Sequence, residues 1–371
     1  MSDENSSVCF VSIYAYAYFA TDRDLPTGGA ERQLYLLAQE LTAEFDIQFI
    51  VGDFGQPHRL RQDGVTLHRS YEPSADGPPW VRAKQLLGLL GAMRRANPDL
   101  YVFRGDRTRA IVVGLLARIL GKQWVYNVAL DSQASADSDG STSLTEFFFG
   151  RAIRDANHVI AQTPSQQASL QTSYGVESTI VPNGYPPAEE PISAEQREFF
   201  VYVGRINESQ KQTHRFVELA RRLPDEEFVL IGPQSDTDAY HERIEQEAAA
   251  VDNLQFLGQV DPEAVHKYFR RAIALVNTST QEGFPNTFLE AWRVSTPIIS
   301  LNVDPGRFLD GRSLGYADGS FDQLVSLADQ LAVSNDYRRQ LGEAGRTCFE
   351  SNYHISATAA DYSRVLQTHS K

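Results

Sequence analysis

A chain of 371 residues is too long for one hydrophobic core, so two domains are expected. With 42% hydrophobic and 22% charged residues it reads as an ordinary folded protein, and no run of about twenty apolar residues offers a membrane span. The formal charge of -14 argues against general nucleic-acid binding, and two cysteines at opposite ends, Cys9 and Cys348, give neither a disulfide framework nor a metal-ligand pair.

The first residues, MSDENSSVCF, carry acids where a secretory signal needs bases, so a cytoplasmic protein is expected. Short apolar strands then alternate with amphipathic helices. Residues 8–13 predict a strand, 29–44 a helix and 46–51 a strand. A helix at 81–96 leads to a strand at 100–103, and a helix at 109–120 to a strand at 124–128. Strands at 159–161 and 179–181 follow. Pro182, Pro186, Pro187 and Pro191 then break the pattern, placing a linker at about 183–197. The alternation restarts with strands at 199–203, 228–231, 254–257, 273–276 and 297–300, and helices at 211–223 and 238–250 between them. Helices at 336–350 and 355–367 close the chain. Two successive parallel α/β units are the expectation, with ligands at the carboxyl ends of their strands.

Charge is unevenly spread. Between Trp80 and Gln123 stand nine bases, among them Arg82, Lys84, Arg94, Arg95 and Arg118, against two acids, Asp99 and Asp106. Such a stretch suits either solvated helix flanks or contact with an anionic membrane or acceptor.

Three segments fit phosphate or sugar chemistry. Gly28-Gly29 follows the first strand and opens a helix, which is either a phosphate-binding turn of positive φ or a plain loop. After the first strand of the second unit, Arg205 and Lys211 flank one loop. Arginine grips two oxygens and lysine supplies a point charge, so the pair suits a diphosphate unless both are merely solvated. The third segment is Glu282-Gly283-Phe284-Pro285-Asn286-Thr287-Phe288-Leu289-Glu290. Asn286 or Thr287 would cap a helix there, with Glu290 one turn inside it. The carboxylate of Glu290 suits a pair of vicinal hydroxyls, and the main-chain N–H groups of 284–287 suit phosphate oxygens. The aromatic run Tyr14, Tyr16, Tyr18 and Phe19 suits either sugar stacking or packing.

Glu282 and Glu290, with seven residues between them that include Gly-Phe-Pro-Asn-Thr, resemble the E-x7-E motif of the retaining GT-B glycosyltransferases of family 4. The Gly28-Gly29 loop, the Arg205/Lys211 pair and Val181-Pro182-Asn183-Gly184 occur in that family's order. The resemblance spans nearly the whole chain. It implies an α/β GT-B architecture, two Rossmann-like domains facing across a deep cleft: residues 1–184, with 351–371 packing back, and 198–350 for the donor. It implies a retaining, metal-independent hexosyltransferase working from a nucleotide diphosphate sugar, with no further cofactor, onto a glycan or lipid-linked acceptor. Arg205, Lys211 and Glu282 would be catalytic. Gly28, Gly29, Phe284, Pro285, Asn286, Thr287 and Glu290 would bind the donor, and 231–233 and 256–260 would receive its base. Peripheral attachment to the inner face of the cell membrane fits the basic stretch.

One departure stands out. The family often carries a histidine after a late strand of the first domain. Here 124–133 holds none, and Asn127 or Asp131 would fill that space. A binding or scaffold protein of the same shape, or a nucleotide-sugar epimerase, are the alternatives. The pairs Asp22/Asp24, Asp137/Asp139 and Asp236/Asp238 read as chance in an acid-rich chain, not as metal sites.

Overall fold

The computed structural model describes residues 6–20, 25, 28–73, 78–136, 143–188, 190–234, 238–305, 309 and 315–369. The acid pairs at 22–24 and 137–139 lie outside these residues, as do 236 and 237. The chain divides into two compact units, Met1–Pro186 with Ile355–Lys371, and Pro187–His354. The second unit therefore runs four residues past the expected end at 350, because its last helix continues to Asn352.

The first unit contains β1 (Ser7–Val11), α1 (Gly29–Leu41), β2 (Asp46–Val51), β3 (Arg59–Gln62), β4 (Val65–Arg69), α2 (Pro79–Ala96), β5 (Leu100–Arg104), α3 (Arg107–Ile119), β6 (Gln123–Asn127), α4 (Asp131–Ala134), α5 (Ser143–Arg154), β7 (His158–Ala161), α6 (Pro164–Tyr174) and β8 (Thr179–Ile180). Its sheet runs β3-β4-β2-β1-β5-β6-β7-β8, parallel except where β3 meets β4. That hairpin escaped the sequence pattern, although its two-residue turn, Asp63-Gly64, has the chemistry of a type I′ turn with both φ positive. Helix boundaries follow local chemistry. Asp106 accepts the Arg109 N–H at 2.9 Å to start α3, Thr163 caps α6 ahead of Pro164, and left-handed Gly175 ends α6.

The second unit contains β9 (Phe199–Val203), α7 (Thr213–Arg222), β10 (Glu227–Ile231), α8 (Asp238–Ala249), β11 (Leu254–Phe256), α9 (Pro262–Arg271), β12 (Ala272–Asn277), α10 (Asn286–Trp292), β13 (Ile298–Ser300), α11 (Phe321–Val333) and α12 (Asn335–Asn352). Its five strands are all parallel, in the order β11-β10-β9-β12-β13. The strand order reverses between β9 and β12 here, and between β1 and β5 in the first unit. Such switch points splay successive loops apart and open a crevice at the carboxyl edge.

The closing helix α13 (Ile355–His369) belongs to the first unit. It buries Ala359, Tyr362, Val365 and Leu366 beside Leu34, Leu37 and Leu41 of α1. At about 1.5–3 kcal/mol for each large apolar side chain removed from water, this face holds the helix firmly. The opposite face of the sheet is covered by α2, α3, α5 and α6 through Met93, Val113, Phe149 and Leu170. Gly184 sits where the chain leaves this unit. A Cβ there would lie 2.4 Å from Thr358 Oγ1 and 2.9 Å from Ile355 Cα, so the glycine of Val181-Pro182-Asn183-Gly184 lets the segment pack against α13. The Ile355 N–H donates to the Tyr185 carbonyl at 3.0 Å beside it.

Candidate active site

In the second unit, the loops after β9 and β12 are neighbours because their strands are neighbours. Asn207 shapes the first loop: its Oδ1 accepts the N–H of Gln210 at 2.7 Å and of Lys211 at 3.2 Å. The loops are then sewn together. Thr278 Oγ1 donates to the Lys211 carbonyl at 2.7 Å, Thr280 N–H to the Gln210 carbonyl at 2.7 Å, and Gln210 Nε2 to the Gln281 carbonyl at 3.1 Å. Left-handed Gln212, at φ 46°, turns the chain into α7.

This stitching brings Lys211 Nζ into an ion pair with Glu282 Oε1. Ser279 Oγ donates to the same oxygen at 2.8 Å. The Glu282 side chain is only 9% exposed, whereas that of Lys211 is 23% exposed, so the cation is the partner that solvent or a ligand reaches more easily. Beneath them, Tyr202 donates to the Arg205 carbonyl at 3.2 Å, and burial, reinforced by the Glu282 charge, pushes its phenol upward so that it stays protonated. Arg205 stands exposed on the loop it shares with Lys211.

The third segment departs from expectation in one detail. Helix α10 starts at Asn286, and its N-cap is Pro285 without a side-chain bond, so neither Asn286 nor Thr287 is the cap. Proline fits there because its φ of −63° is already set for the turn. Glu290 lies one turn inside and is buried, while Asn286 and Thr287 are half-buried. The Phe284 ring packs 4.8 Å from Tyr353 and 6.4 Å from Trp292, which leaves only its main chain for a ligand. The loop after β10 also touches those after β11 and β9. Gly232 N–H donates to the Gly258 carbonyl at 2.8 Å, and a Cβ on Gly232 would overlap the Gly204 carbonyl at 1.7 Å.

In the first unit, Gly28 caps α1 in an extended conformation (φ −142°), and its carbonyl accepts from Tyr18 Oη at 2.9 Å. The positive φ expected of this turn is absent from Gly28 and Gly29, the latter being the first residue of α1. Tyr16 and Phe19 are core residues, and Tyr18 stacks on Tyr35 at 5.9 Å. Asn127 is committed elsewhere: buried at the end of β6, it donates through Nδ2 to Tyr362 Oη at 2.7 Å. Asp131 is exposed and accepts from Gln166 Nε2 at 2.9 Å.

Residues 27–189 match the family described as Glycosyltransferase Family 4, and residues 188–347 match Glycosyl transferases group 1. The chain belongs to the group 1 glycosyltransferases. The chain is 22% identical over 258 residues to an uncharacterized glycosyltransferase of Methanocaldococcus jannaschii, a match covering 62% of this chain and 61% of that protein, so it spans less than two thirds of that relative's length. It is 20% identical over 151 residues to glycosyltransferase 1 domain-containing protein 1 of Xenopus tropicalis, 40% of this chain and 43% of the other. Its fold is that of sucrose-phosphate synthase from Thermosynechococcus elongatus, with a TM-score of 0.79 at 17% identity over 98% of each chain. Anabaena HepE, solved in complex with UDP and glucose, gives 0.74 at 14% identity, covering 98% of this chain and 99% of that one. These likenesses establish the GT-B fold.

Sequence reasoning missed two polar features of the chain. Nothing local marks Ser279, since a serine two residues beyond a strand is common and only the loop's return brings it to Glu282. Arg104, at the carboxyl end of β5, donates to Asn183 Oδ1 at 2.9 Å. Burial lowers its pKa, and the nearby Glu31 charge opposes that shift. A basic residue ending a strand at the switch point was the available signal.

Proposed function

We propose that this transferase moves a hexose-type sugar from a nucleotide diphosphate sugar to a glycan or lipid-linked acceptor, with retention and without a metal ion. The observation that carries the proposal is the Lys211–Glu282 pair braced by Ser279 at the switch point of the second unit. On donor arrival Lys211 turns to the diphosphate, Arg205 joins it, and Glu282 receives hydroxyls of the sugar. Two cations then meet the charge that grows on the leaving phosphate, which is where electrostatic preorganisation lowers a barrier most. Glu290 takes the ribose hydroxyls, and the main chain at 284–287 supports the sugar and phosphate. The ends of β10 and β11 receive the base. HepE holds UDP and glucose in its crystal, which supports a donor of this class. The basic stretch between Trp80 and Gln123 supports a membrane-borne acceptor.

A panel of nucleotide diphosphate sugars, read by thermal shift, by nucleoside diphosphate release and by mass spectrometry of products, tests this. Acceptor-dependent release from one donor is expected. Donor binding without any release would instead identify a binding protein, and an altered sugar nucleotide formed without acceptor would identify an epimerase.

A further inference from the structure

Helices α2, α3 and α5 cover one face of the first unit's sheet, and their outer sides are unusual in two independent ways. Among the described residues, nine large hydrophobic side chains are exposed, and eight of them are on these helices: Trp80, Leu86, Leu87, Leu115, Ile119, Leu144, Phe147 and Phe148. Single exposed apolar residues are ordinary, but such clustering is not. The spacing explains it. Leu115 and Ile119 sit one turn apart on α3, while Ala110, Val113, Leu116 and Ala117 of the same helix face the core. Leu144, Phe147, Phe148 and Arg151 repeat at three to four residues along α5. Both helices are therefore apolar outward as well as inward.

The second feature is charge. The three helices carry nine bases and one acid in a chain of formal charge -14. That acid, Glu146, is paired at 2.6 Å with buried Arg107. Arg118 and Arg151 share Asp155, at 3.0 and 3.2 Å, and still expose 70% and 63% of their side chains. Between α3 and α5 lies an open groove of about 570 Å³, lined by Leu115, Phe148 and Trp124 with Arg118, Lys122 and Arg151 at its margin.

We propose that this face docks on an anionic phospholipid surface. Exposed leucine and phenylalanine side chains enter the interface, while the surrounding guanidinium and ammonium groups meet lipid phosphates. Elsewhere the acidic chain is repelled by such a surface, so the basic face sets the orientation of approach. A lipid-linked acceptor is thereby favoured over a free glycan. This last step rests on the transferase reading above, whereas the docking itself does not.

The test is flotation of the full chain with vesicles of phosphatidylglycerol and phosphatidylcholine, against vesicles of phosphatidylcholine alone. Binding to the anionic vesicles at low ionic strength is expected, at least tenfold above the neutral ones. It should weaken strongly at about 1 M salt, where the screening length is about 3 Å. Leu115→Ser with Phe147→Ser, and separately Arg118→Glu with Arg151→Glu, should each lower binding at least tenfold with unchanged circular dichroism. Lys211→Ala should float as the parent does, which separates docking from the donor site. Absence of binding by the parent chain, or parent-like binding by both double variants, would overturn the proposal. So would a dimer in solution that the same serine substitutions dissolve, since the face would then join two copies of the chain.

Discussion

Lys211 and Glu282, 71 residues apart in sequence, form one ion pair at the point where the second unit's strand order reverses. The pair has a built-in asymmetry, because Glu282 is nearly covered and also bonded to Ser279, whereas Lys211 remains within reach of solvent. An arrangement of this kind releases the cation more readily than the acid.

Replacing Lys211 by alanine should lower transfer by about 100- to 1,000-fold, the usual cost of removing one group aimed at developing charge. It also strands a covered carboxylate, so a small loss of melting temperature should accompany it. Glu282→Gln keeps the bond from Ser279 and should lower transfer with little change in melting temperature. Nucleoside diphosphate release by each variant checks this, and parental turnover in both would remove the pair from the site.

Glu290→Gln preserves the volume of a buried side chain one turn into α10. A ribose held by that carboxylate should be held less well, raising the KM for donor roughly tenfold or more, about 1.4 kcal/mol, with a smaller effect on kcat. Steady-state kinetics over a donor titration measures the split. An unchanged KM would place the ribose elsewhere.

With Arg205 and Lys211 supplying the positive charge, turnover should persist in excess chelator. Rates measured with EDTA and with added manganese decide it; activity lost in EDTA and regained with the metal would contradict the metal-independent mechanism.

Gly232→Ala should be costly. Its Cβ would fall 1.7 Å from the Gly204 carbonyl, a main-chain atom that cannot turn aside as a flexible side chain would. A destabilisation of about 1–3 kcal/mol is expected for forced overpacking, together with displacement of the loop that carries Arg205. Denaturant unfolding and donor binding should both report it.

His68 gives the fold a pH dependence. Burial, with Arg59 and Arg95 nearby, lowers its pKa from 6.5 to about 4, and its Nε2 lies 2.8 Å from Gln48 Oε1. A base whose pKa falls on folding favours its neutral form in the native state. Its contribution is therefore complete above pH 6.5 and is lost as the pH drops from there toward 4. After discounting for solvent screening, the loss is on the order of 1–2 kcal/mol. Melting temperatures of the parent and His68→Gln between pH 7 and 4 should diverge in slope; parallel curves would clear His68 of this role.

Much of this protein is local and was legible in the chain. The strands at 46–51 and 199–203 and the helix opening at residue 29 follow from hydrophobic period and from glycine placement. The E-x7-E spacing sets Glu290 one turn inside α10 because helix geometry is regular. The Asp63-Gly64 hairpin is equally local, but its strands, Arg59–Gln62 and Val65–Arg69, are short and carry polar residues, which hides their alternation.

Sequence alone determined the alternation of elements, the break near Pro186 and the residue types available for binding a diphosphate, since each depends on neighbours a few positions away. Tertiary structure decided which of those residues meet. It joined Lys211 to Glu282 and Ser279, turned Asn127 toward Tyr362, and gathered the outward apolar residues of α2, α3 and α5 on one face. The reason is physical: sheet order and helix packing bring distant segments together, and that order is set by burial of the whole core, which no short window of sequence contains.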